Sequence, residues 1–236
     1  LASSAASDVY KRQEFGKTIK NPVYFSRKEK PSKGAYLDGR IIRYFDGKDD
    51  YEVMSVDDMH LFGNHNYENV MAAIAMTIEA GVPLNIIINV IKDFMGVEHR
   101  IEYVRDKNGV RYYNDSKGTN PDSSIKALEA MSRPTILIAG GYDKHSEFDE
   151  FIEAFDNKVK LMVLLGQTAD KIEETAVRHG FTNIIKTDSL EKAVKICAEN
   201  AVSGDVVLLS PACASWGMFK NYEERGKLFK EYVNSL

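Results

Sequence analysis

From residue 121 onward, short apolar runs alternate with amphipathic stretches, and few folds satisfy that pattern. The runs are TILIAGG (135–141), LMVLLG (161–166), TNIIKT (182–187) and VVLLSPA (206–212). Between and after them lie the helical patterns 121–131, 147–156, 169–179, 189–201 and 222–235. Strands that are apolar on both faces must be covered on both faces, so the alternation predicts an α/β, doubly wound, mostly parallel sheet. Ligands of such sheets bind beyond the carboxyl ends of the strands.

Three strand ends carry unusual chemistry. YYND (112–115) runs into SKGTN, TILIAGG into YDKHSEF, and VVLLSPA into CASWGMFKNYEERG. Each leads into a helix, whose first N–H groups and positive dipole end favour an anion. In the first turn, Asn120, Pro121 and Asp122 are ordinary helix-start residues: a capping amide, a proline at the first position and an acid in the first turn. That explanation leaves Asp115, Lys117 and Thr119 over. In the second turn Gly140 and Gly141 permit a tight bend, and Lys144 follows them; by itself Lys144 reads as a solvated surface lysine. In the third, the small residues around Ser215 let a ligand approach main-chain N–H groups, while Trp216, Phe219 and Tyr222 by themselves read as core.

The first half of the chain has a different character. VYFS (23–26), AYLDG (35–39), RIIRYFDG (40–47) and YEVMSV (51–56), separated by turn residues, predict a small antiparallel meander. Two helical patterns, 65–81 and the almost wholly apolar 83–96, come next. A hairpin then forms from 101–105 and 110–114 around Asn108-Gly109, and a new unit is expected to begin there. Residues 1–13 are small and polar, without amphipathic period, and are expected to be a non-native segment ahead of which the natural chain continues. FGKT (15–18) has the tail of a phosphate-binding P-loop but Lys11 where the loop's first glycine belongs, so it reads as a polar segment.

Composition excludes several classes. With 31 basic and 35 acidic residues interspersed and a net charge of −4, nothing marks a nucleic-acid track or an anionic membrane surface. The sequence has no apolar run of membrane-spanning length. The two cysteines, Cys197 and Cys213, lack metal-ligand spacing and read as reduced apolar fillers, as expected of a cytoplasmic protein.

GNHNYENVMAAIA, GVEHRIEYV, NDSKGTNPDSS, GGYDK and LLSPACASWGMFKNYEERG, in that order and spacing, resemble the Mur ligases of peptidoglycan synthesis. The last motif points to their D-glutamate-adding branch. The resemblance implies that 14–100 is the later part of a central ATPase domain and 101–236 a Rossmann-like C-terminal domain that binds the amino acid. It implies ATP-dependent addition of D-glutamate to UDP-N-acetylmuramoyl-L-alanine through an acyl phosphate, by a monomer, with Mg²⁺ ligands and the P-loop outside this sequence. These residues alone are then expected not to turn over.

Carried over by position, Asn66, Asn69, Arg100 and Asp115 face the nucleotide, and Asp115 and Lys117 the reacting acyl phosphate. Thr119, Lys144, Ser215, Trp216 and Tyr222 fall at the D-glutamate pocket. Two positions depart from the family pattern: Gly118, where alanine is common, is expected to be harmless, and Trp216 to reshape the pocket. His65, His99 and His145 are explained as helix-start and supporting residues. The alternatives are another Mur ligase or a folylpolyglutamate synthetase-like ligase, and a non-catalytic module that binds an anion.

Overall fold

The computed structural model describes residues 20–61 and 63–236. The segment 1–13 and FGKT therefore lie outside the described residues. The chain divides after Met95 into two compact units.

The first unit holds four strands, β1 (Tyr24–Ser26), β2 (Gly34–Asp38), β3 (Ile41–Phe45) and β4 (Asp50–Ser55), in sheet order β1-β2-β3-β4. Helices α1 (Asn64–Glu79) and α2 (Leu84–Asp93) follow. On α1, Val70, Met71, Ile74 and Ala75 share one face and pack with Ile42, Tyr44 and Met54 of the sheet. The Tyr44 hydroxyl donates to Glu79 at 2.5 Å, fixing the end of α1 to the strand beneath it.

The meander is not wholly antiparallel, because β1 pairs parallel with β2. A parallel return normally needs a long crossover. Here β1 has only three residues, so seven connecting residues suffice to bring the chain back to the same end. The return is close: a Cβ at Gly34, where φ is +134°, would fall 1.8 Å from the Tyr24 carbonyl oxygen. The second helix is also shorter than its apolar pattern. Of α2 only Ile87 is buried, and Ile86 and Val90 are exposed.

In the second unit, β5 (Glu102–Lys107) and β6 (Val110–Asn114) form the expected hairpin, with Asn108 and Gly109 both at positive φ. Then come α3 (Pro121–Ala130), β7 (Thr135–Ala139), α4 (Asp149–Glu153), β8 (Val159–Leu164), α5 (Ala169–Arg178), β9 (Ile184–Lys186), α6 (Leu190–Asn200), β10 (Val206–Leu209) and α7 (Tyr222–Ser235). The six strands are ordered β5-β6-β10-β7-β8-β9, all parallel from β6 to β9, with β5 antiparallel at the edge.

The order explains the double winding. The chain moves outward from β6 to β7, β8 and β9, then returns to insert β10 between β6 and β7. Right-handed crossovers made in opposite directions put their helices on opposite faces. Accordingly α3, α4 and α5 pack in succession, and α6 packs with α7. Fully buried Ile136, Ile138, Val163 and Val207 form the core together with Val194, Cys197, Phe229 and Val233 from α6 and α7. Both cysteines are free and buried.

Two strands end earlier than their apolar runs suggest. β7 stops at Ala139 and β10 at Leu209, because Gly140, Gly141 and Ala212 take φ of +101°, +156° and +57°. The turns they make lie side by side over the middle of the sheet. No helix of the described residues is long and apolar enough to cross a membrane.

Gly34→Ala is expected to destabilise the first unit by about 2 kcal/mol or more, since the collision is with backbone. Urea unfolding of wild type and variant, followed by circular dichroism, checks this; equal midpoints would contradict it.

Candidate active site

Inserting β10 between β6 and β7 makes neighbours of three strand ends that are far apart in sequence. Main-chain hydrogen bonds join them: Asp115 N–H to Leu209 O at 2.7 Å, Gly140 N–H to Pro211 O at 2.8 Å, and Tyr142 N–H to Ala214 O at 2.9 Å. Asp115, Lys117, Thr119, Lys144, Ser215, Trp216 and Tyr222 thus share one rim of the second unit. Arg100 adjoins this neighbourhood, since the next residue, Ile101, donates its N–H to Asp115 at 3.2 Å. Asn66 and Asn69 lie in the first unit, on the first turns of α1, which follows Gly63 at φ +92°.

Under the rim sits an arginine. Arg225, on α7, is 2% exposed and donates from Nε to Ser116 Oγ (3.0 Å), from Nη2 to Ser116 O (2.7 Å) and from Nη1 to Cys213 O (3.2 Å). One guanidinium therefore ties the turn after β6 to the turn after β10. Burial lowers its pKa to about 10, so it remains charged at neutral pH. Ser116 Oγ–H completes the tie by donating to Tyr222 O at 2.7 Å.

Asp115 is 4% exposed. Its carboxylate accepts Ile101 N–H (3.2 Å) and Ser210 Oγ–H (2.7 Å). Because Ser210 gives its one proton to the carboxylate, its 2.8 Å contact with Ser124 Oγ carries the proton of Ser124, whose oxygen in turn accepts Ala212 N–H at 2.9 Å. Desolvation outweighs these bonds and the nearby positive charges of Arg100 and Arg225, and pushes the Asp115 pKa up to about 7. A proton can therefore come or go at this carboxyl near neutral pH.

Gly118 fits closely beside Asp115. A Cβ there would lie 2.5 Å from Asp115 Oδ2 and 3.0 Å from Ser124 Oγ, so alanine would press on this carboxylate and on its serine chain.

The two lysines of the rim rest on aromatic rings. Lys117 Nζ lies 4.8 Å from the Tyr222 ring centroid and donates to its hydroxyl at 3.2 Å. Lys144 Nζ lies 4.7 Å from the Trp216 centroid. Neither has a carboxylate partner among the described residues, so both charges are available to an anion. Trp216 is not core, being 54% exposed, whereas Phe219 and Tyr222 are half-buried. Asn120 caps α3 as its sequence predicts, accepting Ser123 N–H at 2.9 Å.

His99 supports the rim from behind. It is buried, and burial holds its pKa below the ordinary value. Its carbonyl accepts Lys117 N–H at 3.0 Å, and its Nδ1 lies 2.9 Å from the Asn114 amide nitrogen. A Cβ at Gly226 would fall 2.2 Å from that Nδ1, so the glycine makes room for the ring. Glu98, His99 and Glu102 bring metal-ligating atoms within 4.8 Å of one another. Lys230 already donates to Glu98 at 2.7 Å and Glu102 at 2.9 Å, and the amide proton on Nδ1 leaves the histidine's own proton on Nε2. These residues do not fit a metal ion.

Sequence reasoning missed Ser124, Ser210 and Arg225. Ser124 hid in an ordinary helix start and Arg225 in an acidic, surface-like run; Ser210 had a signal, a hydroxyl closing a wholly apolar strand.

The geometry can be set beside known proteins. Residues 99–213 match the model of the Mur ligase, glutamate ligase domain. A UDP-N-acetylmuramoylalanine–D-glutamate ligase from Lachnospira eligens is 64% identical over 216 residues, which are 92% of this chain and 48% of that protein. The chain belongs to the Mur ligase family. The ligase of the same name from Clostridioides difficile is 50% identical over 91% of this chain and 47% of its own length. This Mur ligase chain thus spans about half the length of the curated relatives it matches. Among solved structures, UDP-N-acetylmuramate-alanine ligase MurC from Thermotoga maritima aligns with a TM-score of 0.63 at 15% identity, over 89% of this chain and 47% of that one. A pseudomurein peptide ligase type C from Methanothermus fervidus gives 0.65 at 16%, over 88% and 42%. At such identities the likeness establishes the fold.

Two outcomes are expected. Arg225→Met strands the Ser116 and Cys213 carbonyls and should cost about 3 kcal/mol in urea unfolding. For Asp115, a folded pKa of about 7 above the ordinary 3.8 means that the folded state keeps a proton the unfolded chain has lost between those values. Stability therefore falls as pH rises through that window. Asp115→Asn should remove roughly 3–4 kcal/mol of the decline between pH 4 and 7, read from unfolding curves across that range.

Proposed function

We propose that this chain carries the amino-acid-adding part of an ATP-dependent carboxylate–amine ligase that joins D-glutamate to UDP-N-acetylmuramoyl-L-alanine in peptidoglycan synthesis. The supporting observation is the shared rim: two lysines without carboxylate partners and hydroxyls at Thr119 and Ser215 without hydrogen bonds among the described residues, and a titratable carboxyl at Asp115, in a chain 64% identical to a ligase of that name.

The chemistry suits these residues. Phosphorylation of the alanyl carboxylate by ATP turns a poor oxide leaving group into phosphate. The amine of D-glutamate then attacks the acyl carbon, and amide and phosphate result. Such a reaction asks the protein for positioning and for charge stabilisation. Lys117 and Arg100 supply positive charge on the phosphate side, and Asp115, poised near neutrality, orients groups there. Lys144, Thr119 and Ser215 hold the two carboxylates of D-glutamate, with main-chain N–H groups near Trp216 and Tyr222 as further donors. Asn66 and Asn69, at the start of α1, are assigned to the nucleotide.

The reaction needs Mg²⁺ for the phosphates, and the acidic cluster at Glu98 and Glu102 does not fit it, so no step is assigned to a metal held by these residues. We infer further that the protein works on small molecules, as a monomer in the cytoplasm.

The test uses the full-length protein carrying these residues, supplied with ATP, Mg²⁺ and UDP-N-acetylmuramoyl-L-alanine. D-Glutamate should release phosphate and form the amide; a preference for another amino acid, or no turnover, would overturn the assignment. Lys144→Ala should raise the KM for D-glutamate at least tenfold while leaving that for ATP within about twofold, and Arg100→Ala should do the reverse. Equal effects on both substrates would contradict the division of roles.

A further inference from the structure

The aromatic rings of Tyr142 and Trp216 stand at the rim with no contact assigned to them in the scheme above. Tyr142 follows the two glycines after β7, and Trp216 follows Ser215 after β10. The Tyr142 N–H to Ala214 O bond, the isolated bridge between the two turns, fixes their spacing. The rings meet edge to face, with centroids 5.6 Å apart and planes at 61°. Both are exposed, 40% and 54%, although each has apolar area that burial would favour. Lys144 Nζ sits over the indole and makes no other hydrogen bond or ion pair among the described residues.

We propose that Trp216, buttressed by Tyr142, is a positioning and specificity-determining residue that presents Lys144 to the side-chain carboxylate of the incoming amino acid. The proposal rests on the D-glutamate reading. A lysine on a long flexible stem loses rotamer entropy when a ligand fixes it. A carboxylate partner would fix it in advance but would also occupy its charge. An aromatic face restrains the ammonium and leaves its N–H groups free for an anion. The same face gives the methylenes of a glutamate side chain an apolar surface to cover, which removes water from the ion pair as it forms. Lys117 on Tyr222 repeats the device one turn away.

Steady-state kinetics of the full-length protein test this. Trp216→Leu should raise the KM for D-glutamate about fivefold, with kcat and the KM for ATP within about twofold of wild type, and Trp216→Phe should recover much of the loss. In a Lys144→Ala background Trp216→Leu should add nothing, because its effect runs through the ammonium. D-Glutamate should change the intrinsic fluorescence of wild type, and the part of that change lost in Trp216→Leu, which reports this indole, should also be largely lost in Lys144→Ala. Unchanged KM in Trp216→Leu, or full additivity with Lys144→Ala, overturns this inference while leaving the ligase reading intact. Absence of D-glutamate-dependent turnover in wild type overturns both.

Discussion

A single buried guanidinium holds the site of this protein together. Arg225 is buried without a carboxylate at hydrogen-bonding distance among the described residues, and its N–H groups donate to Ser116 and to the Cys213 carbonyl. Burying a charge this way is unfavourable unless its donors are met, so the geometry of both turns is specified by what the arginine needs. Asp115 and Lys117 flank Ser116, and Ser215 and Trp216 follow Cys213. Three of the residues assigned to chemistry, Asp115, Lys117 and Ser215, therefore lie within two positions of the backbone that the arginine fixes.

Around that tie, polar groups form a continuous network. Asp115 takes hydrogen bonds from Ile101 and Ser210, the serines lead on to Ala212, and His99 braces Lys117 from behind. Such a network inside a protein is stiff because each lost bond would strand a buried partner. The rim above it is the opposite: Lys117 and Lys144 lie on aromatic faces, exposed Trp216 among them, where a ligand can compete for them. Rigid support beneath adaptable charge is the arrangement expected of a site that must place two reactants accurately and still release a product.

Much of this was legible before the structure. The hairpin at Asn108-Gly109, the Asn120 cap and the alternation that builds the doubly wound sheet all follow from local pattern. What went astray did so for reasons outside the local window. β1 pairs parallel with β2 because its shortness permits a brief return, which turn residues do not reveal. Trp216 reads as core by composition but is exposed, because the turn after β10 carries it to the rim.

The sequence by itself determined the fold class and the family, because backbone preference and apolar period act over a few residues and are written there. Only the tertiary structure decided which distant positions meet. Inserting β10 between β6 and β7 makes neighbours of Asp115, Gly140 and Ser210, and packing α7 beneath them supplies Arg225. Burial, which raises the pKa of Asp115 and lowers that of Arg225, is a property of that packing, so neither value could be read from the residues in order.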